Sequence, residues 1–239
     1  MDTPFTGRTV IVAGGTGGLG AAVSLAFAAA GASVVVTYRR DAELSALRQR
    51  AAAGTVPIEG HVVDVTDAAA VRTMVAATLD RHARIDALVN TVGGYAGGVP
   101  LWQGDGGTLE RMLALNVRAG YVLARAVVPS MLAARRGSIV NIAAKAALVP
   151  AAGAAEYAAS KAAALAMMTA LAADVAGSGV RVNSVLPSII DTPANRAAMP
   201  GADFAAWPKA ESIAKVILFL CSDGADAIHG AAIPVYGHA

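Results

Sequence analysis

Short apolar, β-branched runs alternate along the chain with longer alanine-rich stretches of helical period, which is the pattern of repeated strand-helix-strand units and a parallel sheet. Strands are predicted at 9–13, 33–37, 58–63, 87–90, 138–142, 180–186 and 233–235. Helices are predicted between them at about 18–30, 41–53, 67–82, 108–134, 156–177 and 209–222. Several of the strands are apolar on both sides of the pleat, as strands covered by helices on both faces must be. No Pro/Gly/Ser-rich linker interrupts the alternation. The expectation is one α/β domain over residues 1–239, a doubly wound parallel sheet with helices on both faces, with loops at about 94–107 and 188–208 covering a substrate cleft.

Composition sharpens this picture at one place. The 239 residues are 56% hydrophobic and 15% charged, which excludes intrinsic disorder. Residues 9–38 carry no charge at all and raise the possibility of a membrane span. Gly14, Gly15, Gly17, Gly18 and Gly20 crowd into that stretch and its valines cluster at both ends, so it reads as strand, turn, helix, strand. Nineteen basic against seventeen acidic residues, without a run of like charge, leave no footprint for nucleic acid or an anionic membrane, and point to a small-molecule substrate. Residues 1–8 are mixed and polar, unlike a secretory leader, and the lone Cys221 allows no internal disulfide; both agree with a cytoplasmic protein. His61, His82, His229 and His238 fall at unrelated spacings, so no metal site is expected.

The first chemical signal is the run Gly14-Gly15-Thr16-Gly17-Gly18-Leu19-Gly20, directly after a predicted strand and opening a predicted helix. Glycines there let the backbone turn tightly and approach a pyrophosphate, while the helix offers unpaired N–H groups and a positive dipole end. The end of the second strand should then choose the nucleotide, an acid favouring a ribose 2′-hydroxyl and arginine a 2′-phosphate. That segment reads Thr37-Tyr38-Arg39-Arg40, with no acid before Asp41. Arg39 and Arg40 therefore favour NADP(H), with NAD(H) possible, unless they simply solvate a loop.

The second signal is Tyr157-Ala158-Ala159-Ser160-Lys161. On a helix, Tyr157 and Lys161 share a face at i and i+4. A nearby ammonium is expected to lower the phenol's pKa and make proton exchange with a substrate practicable near neutrality.

Together these signals, with Asn116 between them, resemble the short-chain dehydrogenase/reductase family over the whole chain. Gly14, Gly18 and Gly20 fall on that family's cofactor glycines, although Ala13 replaces the usual threonine. Asp64-Val65 matches the pair that contacts adenine, and Asn90 through Gly93 matches the family's Asn-Asn-Ala-Gly strand end, with Thr91 and Val92 as departures. Leu186-Pro187 with Asp191-Thr192-Pro193 matches the segment that holds the nicotinamide, which brings Pro187, Ile190 and Thr192 into the cofactor set; Ser188 replaces a common glycine. The resemblance implies a Rossmann fold and hydride transfer from nicotinamide. It also implies Tyr157 as proton donor or acceptor, Lys161 binding the ribose, and Asn116 supporting Lys161 through water.

One departure matters more than the rest. Thirteen residues before Tyr157, where most members carry a serine that hydrogen-bonds the substrate oxygen, this chain has Ala144, which cannot donate. A subgroup of the family lacks that serine. The segments Gly93-Gly94-Tyr95-Ala96-Gly97-Gly98, Ala144-Lys145-Ala146-Ala147-Leu148, and Asp191 through Trp207 resemble dihydropteridine reductases in it. A quinonoid dihydropterin accepts hydride into a conjugated system, so no localised alkoxide forms and the donor becomes less necessary. Tyr95 would offer a wall for a flat ring, or pack on its own loop. Lys145 would face the site or solvent, and Trp207 would touch substrate or close the lid. The alternatives are a general NADPH-dependent carbonyl or 3-oxoacyl reductase, in which Ser188 or Thr91 supplies the missing hydroxyl, and a dinucleotide-sensing protein without turnover. Finally, the predicted helix 156–177 carries only Glu156, Lys161 and Asp174 as charges. A helix apolar nearly all round needs cover on every side, so a homodimer or homotetramer through helices 108–134 and 156–177 is expected.

Overall fold

The computed structural model describes residues 4–238. Its centre is a parallel sheet of seven strands in the order β3-β2-β1-β4-β5-β6-β7. The strands are β1 (Thr9–Ala13), β2 (Ser33–Tyr38), β3 (Glu59–Val62), β4 (Ala87–Asn90), β5 (Gly137–Ile142), β6 (Val180–Pro187) and β7 (Ala232–Val235). Alternating side chains feed two separate apolar layers, which is why the central strands are mainly apolar on both faces. Val10, Val12, Val34, Val36 and Val140 enter one layer with α1 (Gly18–Ala29) and α8 (Ala210–Cys221). Ile11, Ala13, Val35, Leu88 and Ile139 enter the other, with α3 (Ala68–His82), α5 (Ala119–Ala133) and α6 (Ala155–Asp174). The edge strand β3, only partly buried, is shorter than its predicted 58–63.

Helix ends follow local chemistry. Asp67 caps α3 by accepting from the backbone N–H groups of Ala69 and Ala70. Gly31, at φ +88°, closes the C-terminus of α1 in the left-handed region. The helix predicted at 41–53 is α2 (Asp41–Arg50). The single helix predicted over 108–134 is three pieces: α4 (Thr108–Leu113), a π-helical turn over Ala114–Arg118, and α5. The apolar period runs on through the widened turn, so periodicity alone could not reveal it. Asn116 lies in that turn and is buried, which is the position a bulge of this kind serves. After β6 the chain forms α7 (Pro193–Ala198) and a 3₁₀ turn at Phe204–Ala206, the short helical pieces of a flap. Among the described residues no helix is long and apolar enough to cross a membrane.

Because β1 lies between β2 and β4, the winding reverses beside it. The loops after β1 and β4 therefore diverge at their carboxyl ends and open a crevice there.

Candidate active site

The glycine run crosses that crevice. Gly14 adopts φ +72°, and its N–H donates to Thr37 Oγ1 at 2.8 Å, tying the turn to the end of β2. A Cβ on Gly20 would stand 2.0 Å from the Gly14 carbonyl oxygen, so the first turn of α1 rests directly on the loop. Gly17 caps α1 without any side-chain hydrogen bond, and no acidic residue lies in the first turn. α1 itself supplies no anion to its positive end, which fits a pyrophosphate. A Cβ on Gly18 would meet Thr192 Cγ2 at 2.9 Å, which places the base of the flap against the glycine loop. Leu19 is buried beneath it. These residues fit a dinucleotide: the glycine loop would hold its phosphates and Thr192 would lie over them.

Other predicted cofactor residues sit around the same crevice. Asp64 accepts hydrogen bonds from Thr66 N at 2.9 Å and Thr66 Oγ1 at 2.8 Å, which hold its carboxyl below the usual range. Val65 beside it is buried. Asn90 donates to Asn141 Oδ1 at 2.8 Å and accepts from Val92 N at 3.2 Å, fixing the end of β4. Pro187 ends β6, and the Ile190 carbonyl accepts from Asn195 Nδ2 at 2.7 Å, bracing the flap. Arg39 and Arg40 are exposed. Arg40 is ion-paired with Glu43. Sequence reasoning stopped at Asp41 and missed Glu43.

Tyr157, Lys161 and Asn116 converge on the other side of the crevice. Lys161 is 6% exposed, and its Nζ donates to the Ile142 carbonyl at 3.0 Å. Burial pulls its pKa down from 10.5 to about 8. Asn116 Oδ1 accepts from Gly94 N at 2.9 Å, while Nδ2 donates to the Gly94 carbonyl at 3.1 Å and to Ser160 Oγ at 2.9 Å. A Cβ on Gly93 would stand 2.8 Å from Asn116 Oδ1 and 3.0 Å from Lys161 Nζ. Gly93 therefore lets the β4 loop pass between the two. Ser160, adjacent to Lys161 in the quoted motif, is a link that sequence reasoning missed.

One expectation is corrected here. Lys161 does not lower the Tyr157 pKa; burial first, and then Tyr95, push the phenol up to about 12. The buried ammonium points to a strand-end carbonyl, so nothing offsets the desolvation of the phenolate. Tyr157 is consequently a neutral phenol at physiological pH.

Of the substrate candidates, Tyr95 packs edge-on against Tyr157, ring centroids 4.9 Å apart at 72°. Tyr95 is 69% exposed. Ala144 is buried just beyond the end of β5. Lys145 Nζ lies 5.0 Å from the centre of the Tyr236 ring, so it faces the C-terminal segment, a contact the sequence did not indicate. Trp207 is 8% exposed and packs on Phe204 at 5.0 Å, inside the flap. Neither hydroxyl considered as a replacement for the missing serine is free. Thr91 Oγ1 donates to the carbonyl of Ala13 at 2.7 Å, and Ser188 Oγ to that of Tyr236 at 2.8 Å.

Known proteins share this fold. The family described as short chain dehydrogenase matches residues 8–202. The chain is 30% identical to the 3-oxoacyl-[acyl-carrier-protein] reductase of Thermotoga maritima, covering 97% of each. It is 32% identical to the 2-(R)-hydroxypropyl-CoM dehydrogenase of Xanthobacter autotrophicus, over 96% of this chain and 97% of that one. Among solved structures, a short-chain type dehydrogenase/reductase from Mycobacterium ulcerans superposes with a TM-score of 0.92 at 28% identity, over 98% of this chain and 90% of that one.

Proposed function

The chain belongs to the short-chain dehydrogenase/reductase family, and from that premise we propose that it reduces a flat, conjugated heterocycle of the quinonoid dihydropteridine kind. Membership makes it an NAD(P)-dependent oxidoreductase; the substrate class is the proposal. The observation that carries it is the pairing of a buried Ala144, without a hydroxyl, with the aromatic wall of Tyr95 over Tyr157. A ketone reduced here would develop localised negative charge on oxygen, and Ala144 has no hydroxyl to share it with Tyr157. A conjugated imine spreads that charge over its ring and needs no second donor.

The nicotinamide, when bound, supplies a hydride. Tyr157 supplies the proton, so the substrate gains two electrons and two hydrogens in all, and the phenolate is reprotonated from solvent. Lys161, held by the Ile142 carbonyl, would bind a ribose. Asn116 ties the β4 loop to Ser160, and Gly93 leaves room for the ammonium there. A protein that only sensed the dinucleotide would have no use for this proton-donating apparatus.

A second reading, a ketone or 3-oxoacyl reductase, is favoured by the full-length similarity to the Thermotoga reductase. Nicotinamide oxidation measured with a quinonoid dihydropterin, a ketone panel and acetoacetyl thioester separates the two. Turnover of the pterin is expected, and turnover of ketone or thioester alone would overturn the first reading. Ala144→Ser adds the missing donor beside Tyr157. It is expected to raise ketone reduction by roughly tenfold or more, since one such donor is worth about 10²–10³ in rate elsewhere, and to leave pterin turnover within about twofold.

We also propose that the protein pairs with a second copy through α5 and α6. A groove of about 370 Å³ between them is lined by Tyr121, Val128, Pro129, Met167 and Leu171, with Arg125 and Asp174 at its sides. Neither charge is ion-paired among the described residues. Across a two-fold axis, Arg125 of one copy would meet Asp174 of the other, so the face is complementary to itself. Light scattering should report an oligomer, and Arg125→Asp should convert it to monomer. A monomeric wild-type protein would refute the pairing.

A further inference from the structure

We propose that Glu43 is an internal stand-in for a phosphate and turns the dinucleotide preference toward NAD(H). This rests on the glycine loop being a dinucleotide cradle, and not on the identity of the substrate. It reverses the preference read from Arg39 and Arg40 alone.

Glu43 lies in the first turn of α2, whose N-cap residue is Arg40. Its two carboxylate oxygens are held from opposite sides. Oε1 accepts from Arg40 Nε at 2.8 Å and also from Arg40 Nη2. Oε2 accepts from Thr16 Oγ1, within the glycine run, at 3.2 Å. Glu43 thus spans from the segment after β2 to the loop that would hold the phosphates, which is where a nucleotide's 2′ substituent has to be recognised. The forked guanidinium that a 2′-phosphate would use is already occupied by a carboxylate.

The surrounding charges point the same way. Arg39 makes no ion pair among the described residues, but it lies in the field of both Glu43 and Asp64 and helps to hold both carboxyls below their ordinary range. Asp41 is the next acid and accepts from the Tyr38 hydroxyl at 2.9 Å. Arg48, the next cation along α2, donates to the Ile58 carbonyl at 2.8 Å. Arg39 and Arg40 are therefore set against Asp41, Glu43 and Asp64. A 2′-phosphate entering here must push Glu43 off both Arg40 and Thr16 and bring nearly two further negative charges to a seat already short of positive ones. A 2′-hydroxyl has only to donate to the Glu43 carboxylate, which needs no displacement. Glutamine at 43 keeps the shape and the acceptor oxygen but removes the charge, so the same seat should then admit the phosphate.

The test is calorimetric titration of the substrate-free protein with NAD⁺ and NADP⁺, and with 5′-AMP and adenosine 2′,5′-bisphosphate, which isolate the ribose subsite. The wild-type protein should bind NAD⁺ at least fivefold more tightly than NADP⁺, and 5′-AMP more tightly than the bisphosphate. Glu43→Gln should tighten NADP⁺ and the bisphosphate at least tenfold and weaken NAD⁺ severalfold. Glu43→Ala, which removes the acceptor as well, should shift the ratio in the same direction. Thermal unfolding of each variant establishes that it is folded. Tighter binding of NADP⁺ by wild type, or equal effects of the variants on both nucleotides, would overturn the role of Glu43 alone. Binding of neither nucleotide would overturn the cradle itself, and with it this inference.

Discussion

Tyr157→Phe should lower turnover by about 10³-fold while leaving dinucleotide affinity within about twofold, because positioned proton transfer contributes roughly 10²–10⁴. The substitution is unusually clean at this site. Phenylalanine keeps the ring that packs edge-on with Tyr95, so the aromatic wall survives. The Tyr157 hydroxyl makes no hydrogen bond to any described residue, so its removal orphans no partner and stability should stay within about 0.5 kcal/mol. Only the proton donor is lost. The pH profile supplies a second readout. With the phenol at about 12, the wild-type donor stays protonated throughout the physiological range, and no decline in rate between pH 5 and 7 should be traceable to it. Stopped-flow measurement of nicotinamide oxidation, with cofactor binding followed separately, checks both. Retained turnover in the Phe variant would remove Tyr157 from its role.

How far the sequence foretold this site depends on the kind of interaction. Central strands were legible because burial on both faces leaves them mainly apolar in consecutive positions, and the glycine run was legible because only glycine tolerates the Gly20 contact at 2.0 Å from the Gly14 carbonyl. The i, i+4 spacing correctly placed Tyr157 and Lys161 on one helix face. It could not say which acceptor the ammonium would choose, since the Ile142 carbonyl is distant in sequence and comes close only when β5 packs beneath α6. The π-helical turn was hidden for a related reason: one extra residue in a turn leaves the apolar stripe nearly unchanged, and only a buried Asn116 marks it. Glu43 was missed because specificity was sought at the strand end, whereas the helix that follows brings its first turn back over the glycine loop. Local pattern determines the elements; the long-range partners of polar side chains decide what the elements do.

Lys161→Met is the strongest case of that second kind, because it should damage function and improve stability together. The ammonium is buried, its pKa drawn from 10.5 down to about 8 by desolvation. At about 1.4 kcal/mol per pH unit, that displacement corresponds to roughly 3 kcal/mol of unfavourable burial below pH 8. The sign follows from proton counting. Between about pH 8 and 10.5 the unfolded chain holds the proton and the folded one releases it, so wild-type stability rises with pH through that window. Methionine matches the length of the lysine stem and carries no charge, at the loss of the hydrogen bond to Ile142, worth about 1 kcal/mol. The variant should therefore unfold about 4–8 °C higher than wild type at pH 7, with the gap closing as pH approaches 10.5. Turnover should fall at least ~100-fold, since the dinucleotide loses its ribose contact and with it the placement of the reacting ring. Calorimetric unfolding at pH 7 and pH 10, beside steady-state kinetics, tests the two halves together. A Met variant less stable than wild type at pH 7 would mean that the lysine is retained for the fold. A more stable, inactive one would mean that the fold tolerates a strained cation because the chemistry requires it.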